Sequence, residues 1–372
     1  WALLFADDFE LAAEGPTYCH AILCFLWWLV VLGFPFSWPK TRGGFTYSWV
    51  GYEVCRKQWA LGISEGRANW AITWMGTVLE AGRVCVGELR EALGRLVFVY
   101  GALTYDKPFL GPLFAFVALH PPSSTQRLPL YVRMVLAWLR ERLQVRRLQK
   151  VVTRSKLDQT LMRVDAKAEG LSVGVGGWAP HYGPDGNIDL GKSRWFSIAL
   201  TEQDAPWAFL KGAPARAISA LEMLATTVGL VLLSPPRLTQ DTMGTVAVTG
   251  MTDSMVSSSV VTRGMSTKYP LCVVSMELAA QLEARGAELL LDWIPREVNS
   301  EADRLADGDT RGFDPALRVH GEMRQIKWLV LDRLMKAGAA FHRESVRHAG
   351  KGASSLVHGR KQHPAKRKKA LR

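Results

Sequence analysis

The chain has 372 residues, of which 48% are hydrophobic, and it carries a formal net charge of +12. This length and composition exclude a wholly disordered chain and predict two or three domains with a sizeable core. Residues 311–372 hold 16 Lys and Arg against 4 Asp and Glu, which accounts for the whole positive excess. These 62 residues are therefore predicted to form a basic, disordered tail that binds a polyanion or acts as a nuclear address. A solvated end with no partner is the alternative.

The cysteines and the apolar segments indicate the compartment. The chain has five cysteines, without CxxC spacing: Cys19, Cys24, Cys55, Cys85 and Cys272. This pattern excludes a disulfide scaffold and a zinc site, and it suits a reducing compartment. The apolar residues 21–36 fall short of the roughly 20 residues that a spanning helix needs. We therefore expect a buried helix there, no membrane partner, no secretory signal, and a nuclear or cytoplasmic location.

The N-terminal half alternates between strand and helix patterns. Residues 1–10 are predicted to form an apolar strand that ends in an acidic turn, and residues 16–32 a helix. Residues 43–54 have strand composition, whereas residues 64–99 show helical spacing. Residues 127–148 are strongly helical and end in basic side chains, which either contact a phosphate backbone or form a solvated face.

The C-terminal half shows three strand patterns followed by alternating helices and strands. The predicted order is strand 161–166, strand 171–182, strand 194–201, helix 214–233, strand 244–254, helix 273–286, strand 287–297 and a short helix 299–308 capped by Asn299. Three consecutive strands followed by alternation predict an α/β (α+β) fold, in which helices flank a mixed sheet.

Four acidic residues lie on these elements, each in an apolar context. They are Asp165, Glu222, Asp253 and Asp303. A carboxylate beside a core is unfavourable unless it is paired or binds a metal, and oxygen ligands of this kind suit Mg²⁺ or Mn²⁺. Two ions about 4 Å apart can activate water on one side of a phosphorus and stabilise the leaving oxygen on the other. The alternative is that each acid is a helix cap or a surface charge.

The sequence around these acids resembles the ribonuclease H domain of retroelement polyproteins. The most specific segment is IPREVNSEADRLADG, in which Asn299 precedes the pair Ala302-Asp303. VDA, ALEMLA and TDS resemble the segments that carry the other three acids. The resemblance implies that the four acids bind two Mg²⁺ (or Mn²⁺) ions and that the enzyme cuts the RNA strand of an RNA–DNA hybrid. By this resemblance Asp165 and Asp253 would bind the metals and contact the environment of the attacking water. Glu222 would help to orient metal and substrate, and Asp303 would complete the second metal site.

The chain departs from this family at several positions. Val164 stands where a Thr is common, and Lys167 stands where a Ser is common and could pair with a catalytic acid or with phosphate. The spacing from Asp165 to Glu222 is long because of a hairpin insertion around residues 183–206. Some family members carry a His that assists product release in the loop where this chain has Arg296 and Glu297. These departures affect the expected turnover rate more than the reaction type.

The first residues of the sequence carry a second resemblance, in the segment FADD. The segment FADD, which contains Asp7 and Asp8, is similar to the (Tyr/Phe)-x-Asp-Asp box of reverse transcriptases, in which the two aspartates hold metal ions. The next segment, LGFPFSWPKTR, resembles the palm region that follows, and it places Lys40 at a lysine that protonates pyrophosphate. Residues 49–54 resemble the turn that grips the primer, and residues 94–118 resemble the region after the thumb in DIRS-like retroelements.

Together these resemblances imply a C-terminal fragment of a DIRS-like or LTR-type reverse transcriptase–ribonuclease H polyprotein. The expected domains are a partial, truncated palm over 1–60, thumb and connection helices over 61–155, a ribonuclease H-like mixed five-stranded sheet with flanking helices over 156–310, and the basic tail over 311–372. In the family a further palm aspartate and the fingers precede the FADD box. We therefore expect the polymerase region to be incomplete in this chain alone, and a partner chain could supply the missing palm and fingers.

Three functions are consistent with this organisation. The leading hypothesis is an endonuclease that hydrolyses the RNA strand of RNA–DNA hybrids and retains a residual RNA-directed DNA polymerase region. The alternative is a catalytically decayed protein of the same fold that binds nucleic acid through its thumb and tail. The nucleic-acid-binding residues expected in the tail are Arg360, Lys361, Lys366, Arg367, Lys368 and Lys369. A third hypothesis is a nuclease or transposase of this fold that acts on DNA ends or junctions.

Overall fold

The computed structural model describes residues 2–5, 8–210, 212–234 and 245–358. For Phe5, Asp8 and residues 152–161 and 348–358 it describes the backbone only.

The described chain begins with a hairpin in which β1 (Ala2–Phe5) pairs antiparallel with β2 (Asp8–Leu11). Phe5 lies opposite Asp8, so a strand is present where one was expected, but the residues of the expected turn, 6 and 7, lie outside the described residues. Helix α1 (Tyr18–Val31) follows where a helix was predicted. The prediction that this helix is buried is wrong, because Leu29 is its one buried residue and Trp27 is 69% exposed. An apolar composition indicates a tendency to be buried but does not identify a partner element.

The first half of the chain contains short strands and a group of packed helices. Its elements are β3 (Thr46–Trp49), β4 (Tyr52–Cys55), β5 (Ala60–Ile63), α2 (Glu65–Ala81), β6 (Arg83–Cys85), α3 (Val86–Ala102), α4 (Gly111–Ala118), β7 (Thr125–Arg127), α5 (Leu130–Val145) and β8 (Leu148–Lys150). The strands β3, β4, β5 and β8 form an antiparallel sheet in that order, and β6 pairs with β7. Helix α2 packs on α5, and the Tyr100 hydroxyl on α3 donates to the Leu139 carbonyl on α5 over 3.1 Å.

The second half is built on a mixed sheet. Its elements are β9 (Val152–Glu169), β10 (Ser172–Ala179), β11 (Arg194–Ala199), α6 (Pro206–Phe209), α7 (Ile218–Leu233), β12 (Thr245–Thr252), α8 (Met255–Arg263), α9 (Leu271–Arg285), β13 (Ala287–Trp293), α10 (Ser300–Ala306) and α11 (Leu331–His358). Within the described ranges the sheet has five strands in the order β11-β10-β9-β12-β13. The pairs β11/β10 and β10/β9 are antiparallel, whereas β9/β12 and β12/β13 are parallel. The α/β class and the mixed five-stranded sheet with flanking helices are therefore confirmed.

Helices cover both faces of this sheet. Helix α7 packs on β9, β10 and α9, while α10 packs on β10, β9 and β11. Neighbouring side chains on a strand point to opposite faces, and the glycines of β10 follow this rule. A Cβ at Gly176 would lie 2.3 Å from the backbone nitrogen of Ala306 on α10, whereas a Cβ at Gly177 would lie 2.8 Å from Val164 beneath α7. The repeated glycines of β10 thus permit close approach of α10.

One helical segment of the described chain, residues Pro214–Leu233, is long and apolar enough to cross a membrane. Of an 18-residue apolar stretch within this segment, 61% is buried inside the protein. Since α7 packs between the sheet and α9, we assign the segment to the core.

Helix α8 is an element that the sequence did not predict. Its Ser-rich and β-branched composition gives little helical signal. The Ser254 side chain accepts a hydrogen bond from the Ser257 backbone N–H, and Gly264 ends the helix with φ at 70°. Local capping therefore defines this helix more clearly than its hydrophobic pattern does.

The prediction of a disordered region beginning at residue 311 is wrong for the residues up to 347, whose side chains are described. Helix α11 begins at Leu331 and packs on α5 and α9. The centroid of the Phe341 ring on this helix lies 5.8 Å from that of the Tyr131 ring. Phe341 and Leu334 are both buried. Net charge alone did not reveal that α11 is amphipathic. One face of this helix joins the core, and its charged face remains exposed. The predicted tail residues Arg360, Lys361, Lys366, Arg367, Lys368 and Lys369 lie outside the described residues.

Candidate metal centre

Two neighbouring parallel strands and one helix bring three acidic side chains together. Asp165 lies on β9, and Asp253 directly follows β12, which pairs with β9. Glu222 lies on α7, which packs across β9. One carboxylate oxygen from each of these residues lies within 4.8 Å of the others. The structure therefore brings together three of the four acids that the sequence singled out.

Burial and mutual repulsion disfavour the charged forms of two of these acids. Burial, and then the charge of Asp253, raises the pKa of Asp165 to about 7. Burial, and then the charges of Asp165 and Asp253, raises the pKa of Glu222 to about 10. The Oε2 atom of Glu222 is buried and has no hydrogen-bond partner among the described residues. A set of hard oxygen donors with an unpartnered buried atom fits a divalent cation of the Mg²⁺ or Mn²⁺ kind.

Asn299 holds one of these acids in place. It was predicted to cap α10, but its side chain makes no such bond and is buried elsewhere. The Nδ2 atom of Asn299 donates to the Val164 carbonyl over 3.1 Å and to Asp253 Oδ1 over 3.2 Å. From the other side, the Trp293 indole Nε1 donates to the Asp253 carbonyl over 3.0 Å. The sequence did not predict that Asn299 and Trp293 position Asp253, because these contacts join residues that are distant in the chain.

Asp303 is not part of the three-acid cluster. Its Oδ1 atom accepts a hydrogen bond from Arg296 Nη2 over 2.8 Å. The hydrogen bond and charge of Asp303 raise the pKa of Arg296, and the charges of Asp165 and Asp253 act in the same direction. Arg296 therefore lies close enough to interact electrostatically with three of the four acids.

The remaining predicted site residues lie elsewhere or are not described. Lys167 pairs with Asp307 over 2.7 Å and with Glu169 over 3.4 Å, and it pairs with none of the three acids in the cluster. Lys40 is exposed at the end of the 3₁₀ helix Trp38–Lys40. Asp7 lies outside the described residues, and Asp8 is described only as part of the backbone of β2. A polymerase metal site at these residues stays a prediction.

Solved structures of two ribonucleases H1 and of a viral reverse transcriptase are similar to parts of this chain. No protein-family model and no curated protein matches the chain. The ribonuclease H1 of the halophilic archaeon Halobacterium salinarum NRC-1 is 16% identical, with a TM-score of 0.26 over 40% of this chain and 95% of that one. A ribonuclease H1 isolated from compost, LC11, is 18% identical, with a TM-score of 0.28 over 40% and 94%. The foamy viral protease–reverse transcriptase, solved in complex with an RNA/DNA hybrid, is 12% identical, with a TM-score of 0.34 over 79% of this chain and 36% of that one.

The class of fold follows from the order of the described strands. The strand order, with two antiparallel and two parallel pairings and an acid on the central strand, is that of a ribonuclease H-like α/β fold. The part of the chain that is built on the mixed sheet therefore has a ribonuclease H-like fold, as the sequence predicted.

The raised pKa of Glu222 predicts how stability depends on pH. The folded state keeps the proton up to about pH 10, whereas the unfolded state loses it near a pKa of about 4.3. Ionisation then favours unfolding, so in EDTA the free energy of unfolding should fall by about 1.4 kcal/mol per pH unit, which is roughly 2 kcal/mol between pH 5 and about pH 6.5. Glu222→Gln should remove most of this fall, and urea titrations at both pH values measure it. Parallel pH dependences in wild type and variant would contradict the prediction.

Proposed function

We propose that this protein is a ribonuclease H-type endonuclease that hydrolyses the RNA strand of RNA–DNA hybrids with divalent metal ions. The observation that supports the proposal is the convergence of Asp165, Glu222 and Asp253 within 4.8 Å, where α7 packs across the central strands of a mixed sheet. Phosphodiester hydrolysis needs clustered negative ligands of this kind, and the unpartnered Glu222 oxygen is suited to a cation.

Each residue has a role in this proposal. Asp165 and Asp253 are the ligands on the two paired strands, and Glu222 is the ligand from the helix above them. Asn299 and Trp293 keep Asp253 oriented through its side chain and its carbonyl. When bound, two Mg²⁺ or Mn²⁺ ions would supply charge neutralisation at the phosphate and activation of water. Asp303 is proposed as a ligand of the second ion.

A groove in the first half supports binding of nucleic acid. It has a volume of about 640 Å³ and lies between α2 and α3. The Arg67 guanidinium lies 4.3 Å from the centre of the Phe98 ring, and that of Arg95 lies 4.9 Å from the Trp70 ring. Positive charges beside aromatic faces suit phosphate groups and unpaired bases.

We also propose that the chain derives from a retroelement reverse transcriptase–ribonuclease H polyprotein. The N-terminal hairpin with its FADD segment would then belong to the palm, and the helices of the first half would belong to the thumb. The five cysteines are free thiols, which supports our proposal of a nuclear or cytoplasmic location.

A cleavage assay tests the proposed function directly. The full chain is incubated with a fluorogenic RNA–DNA hybrid in Mg²⁺ or Mn²⁺, and separately in EDTA. We expect cleavage of the RNA strand in the metal-containing samples, with no cleavage of duplex DNA or of DNA ends. Tight hybrid binding without cleavage at any metal concentration would overturn the proposal in favour of a decayed nucleic-acid-binding protein. Cleavage of DNA ends would indicate a transposase-like enzyme.

The basic C-terminus should contribute to hybrid binding through phosphate contacts. Residues 359–372 contain seven Lys and Arg. Their deletion should lower the slope of log K against log salt concentration by about 3–6, because each lost phosphate contact lowers it by about 0.9. Fluorescence anisotropy with a labelled hybrid at several salt concentrations measures this slope. An unchanged slope would show that the tail does not contact the hybrid.

A further inference from the structure

The fourth acid and an arginine of the same loop form an ion pair beside the proposed metal centre. Arg296 Nη2 lies 2.8 Å from Asp303 Oδ1, and the side chains of the two residues are 73% and 37% exposed. The three acids of the cluster share no such bond with Arg296. The fourth acid therefore already has a cationic partner, whereas Glu222 Oε2 in the cluster has none.

The backbone keeps this arginine close to the cluster. Arg296 begins the 3₁₀ helix Arg296–Val298, which directly follows Pro295 and leads into Asn299. Asn299 is buried and bound to Asp253, so the loop is anchored one turn after the arginine. The charges of Asp165 and Asp253 act on the guanidinium at this position. The guanidinium is thus a permanent positive charge near the cluster, since arginine does not lose its proton in proteins.

We propose that Arg296 competes with the second divalent cation for Asp303 and so sets the affinity of that ion. This inference rests on the proposed function. A cation that uses Asp303 must first break the ion pair and must then bind near a positive charge. The exposed side chain of Arg296 has solvent into which it can swing, so the pair opens without disturbing the core. The three-acid cluster therefore binds one ion tightly, and the ion at Asp303 binds weakly.

The ion pair could instead be an ordinary surface contact, which contributes little. The two cases differ in what happens when the positive charge is removed. Removing a competitor raises the affinity of one ion only, whereas removing a surface contact leaves both affinities unchanged. A general field effect would change both ions equally, because each would feel the loss of one charge.

The test measures Mn²⁺ binding to the full chain without substrate, by electron paramagnetic resonance of the free ion. Arg296→Gln should tighten the weaker binding step about tenfold and leave the tighter step within about twofold. Arg296→Lys should lie between, since it keeps the charge but loses the planar fork. The control is Arg324→Gln, which removes an exposed arginine that contacts Asp204 over 3.8 Å on another part of the surface. It should change neither step.

The double variant separates competition from other effects. Asp303→Asn should abolish the weaker step, and adding Arg296→Gln to it should then have no further effect on Mn²⁺ binding. Equal tightening of both steps, or no tightening in Arg296→Gln, overturns the inference, as does the absence of any Mn²⁺ binding. The hybrid assay is read separately. If Arg296→Gln tightens only the weaker Mn²⁺ step but the wild-type chain does not cleave the hybrid, the inference stands and the proposed function fails. If the wild-type chain cleaves the hybrid but Arg296→Gln does not tighten the weaker step selectively, the proposed function stands and the inference fails.

Discussion

Asp165→Asn is expected to lower kcat/KM for hybrid cleavage by about 10³-fold or more, since it removes a ligand from the centre of the acid cluster. Asp165 is buried on β9, between the strand that carries Asp253 and the helix that carries Glu222. The substitution keeps the size of the side chain but removes the negative charge that would bind a cation. The loss should therefore lie in the chemical step and in metal binding. Initial rates over a range of hybrid and Mn²⁺ concentrations measure it.

The matched control for this variant is Asp332→Asn. Asp332 is exposed in the first turn of α11, far along the chain from the cluster, and the substitution removes the same charge. We expect its kcat/KM to stay within about twofold of wild type. Asp165→Asn should also retain hybrid binding and should unfold at a higher urea concentration than wild type at pH 8 in EDTA, because a buried, repelled carboxyl has been removed. Retention of wild-type cleavage in Asp165→Asn would show that this cluster is not the active site.

Glu277→Ala is expected to lower the free energy of unfolding by about 3–5 kcal/mol, which is the largest stability effect that we predict. Glu277 is fully buried on α9. Its carboxylate accepts hydrogen bonds from three consecutive backbone N–H groups at the start of α11: Leu329 at 3.0 Å, Val330 at 2.7 Å and Leu331 at 2.9 Å. The first N–H groups of a helix have no partner within the helix. Removing the carboxylate therefore leaves buried donors unsatisfied.

The same variant should loosen α11 before the rest of the chain. Hydrogen exchange of the α11 backbone amides should speed up in Glu277→Ala, while the exchange of the β9 amides should change less. Glu277→Gln keeps one acceptor oxygen but turns an NH₂ group towards the backbone donors, so we expect an intermediate loss. The control is Glu344→Ala, an exposed position on α11, with an expected change within about 0.5 kcal/mol in urea titrations. Equal stabilities of Glu277→Ala and wild type would refute this role for Glu277.

A group of ion pairs joins the first and second halves of the described chain. Arg142 on α5 pairs with Asp106 and with Glu283 on α9, and Arg146 pairs with Glu283. The Tyr105 hydroxyl also donates to the Ala287 carbonyl over 2.8 Å. These contacts and α11 link the helices of the first half to the mixed sheet, so the two halves share a core. None of these contacts follows from local sequence patterns.

The amino-acid sequence by itself determined the class of fold and three members of the candidate site. The alternating strand and helix patterns after residue 160 carry their own periodicity, and the segments around Asp165, Glu222 and Asp253 are local. The order of these elements then places the acids on adjacent strands and on the helix above them. Such features depend on residues that are close together in the chain, and sequence patterns record them well.

Only the tertiary structure decided the remaining features. Pairing of β12 with both β9 and β13 brings Asn299, which follows β13, against Asp253, and the residue expected to cap a helix is instead a positioning residue. The loop after β13 places Arg296 on Asp303 and so separates this acid from the other three. Helix α11 became part of the core because α5 and α9 offer its apolar face a surface, which a count of basic charges does not show. Each of these outcomes depends on contacts between residues that are distant in the chain or on which acceptor lies within reach, and no local pattern specifies them.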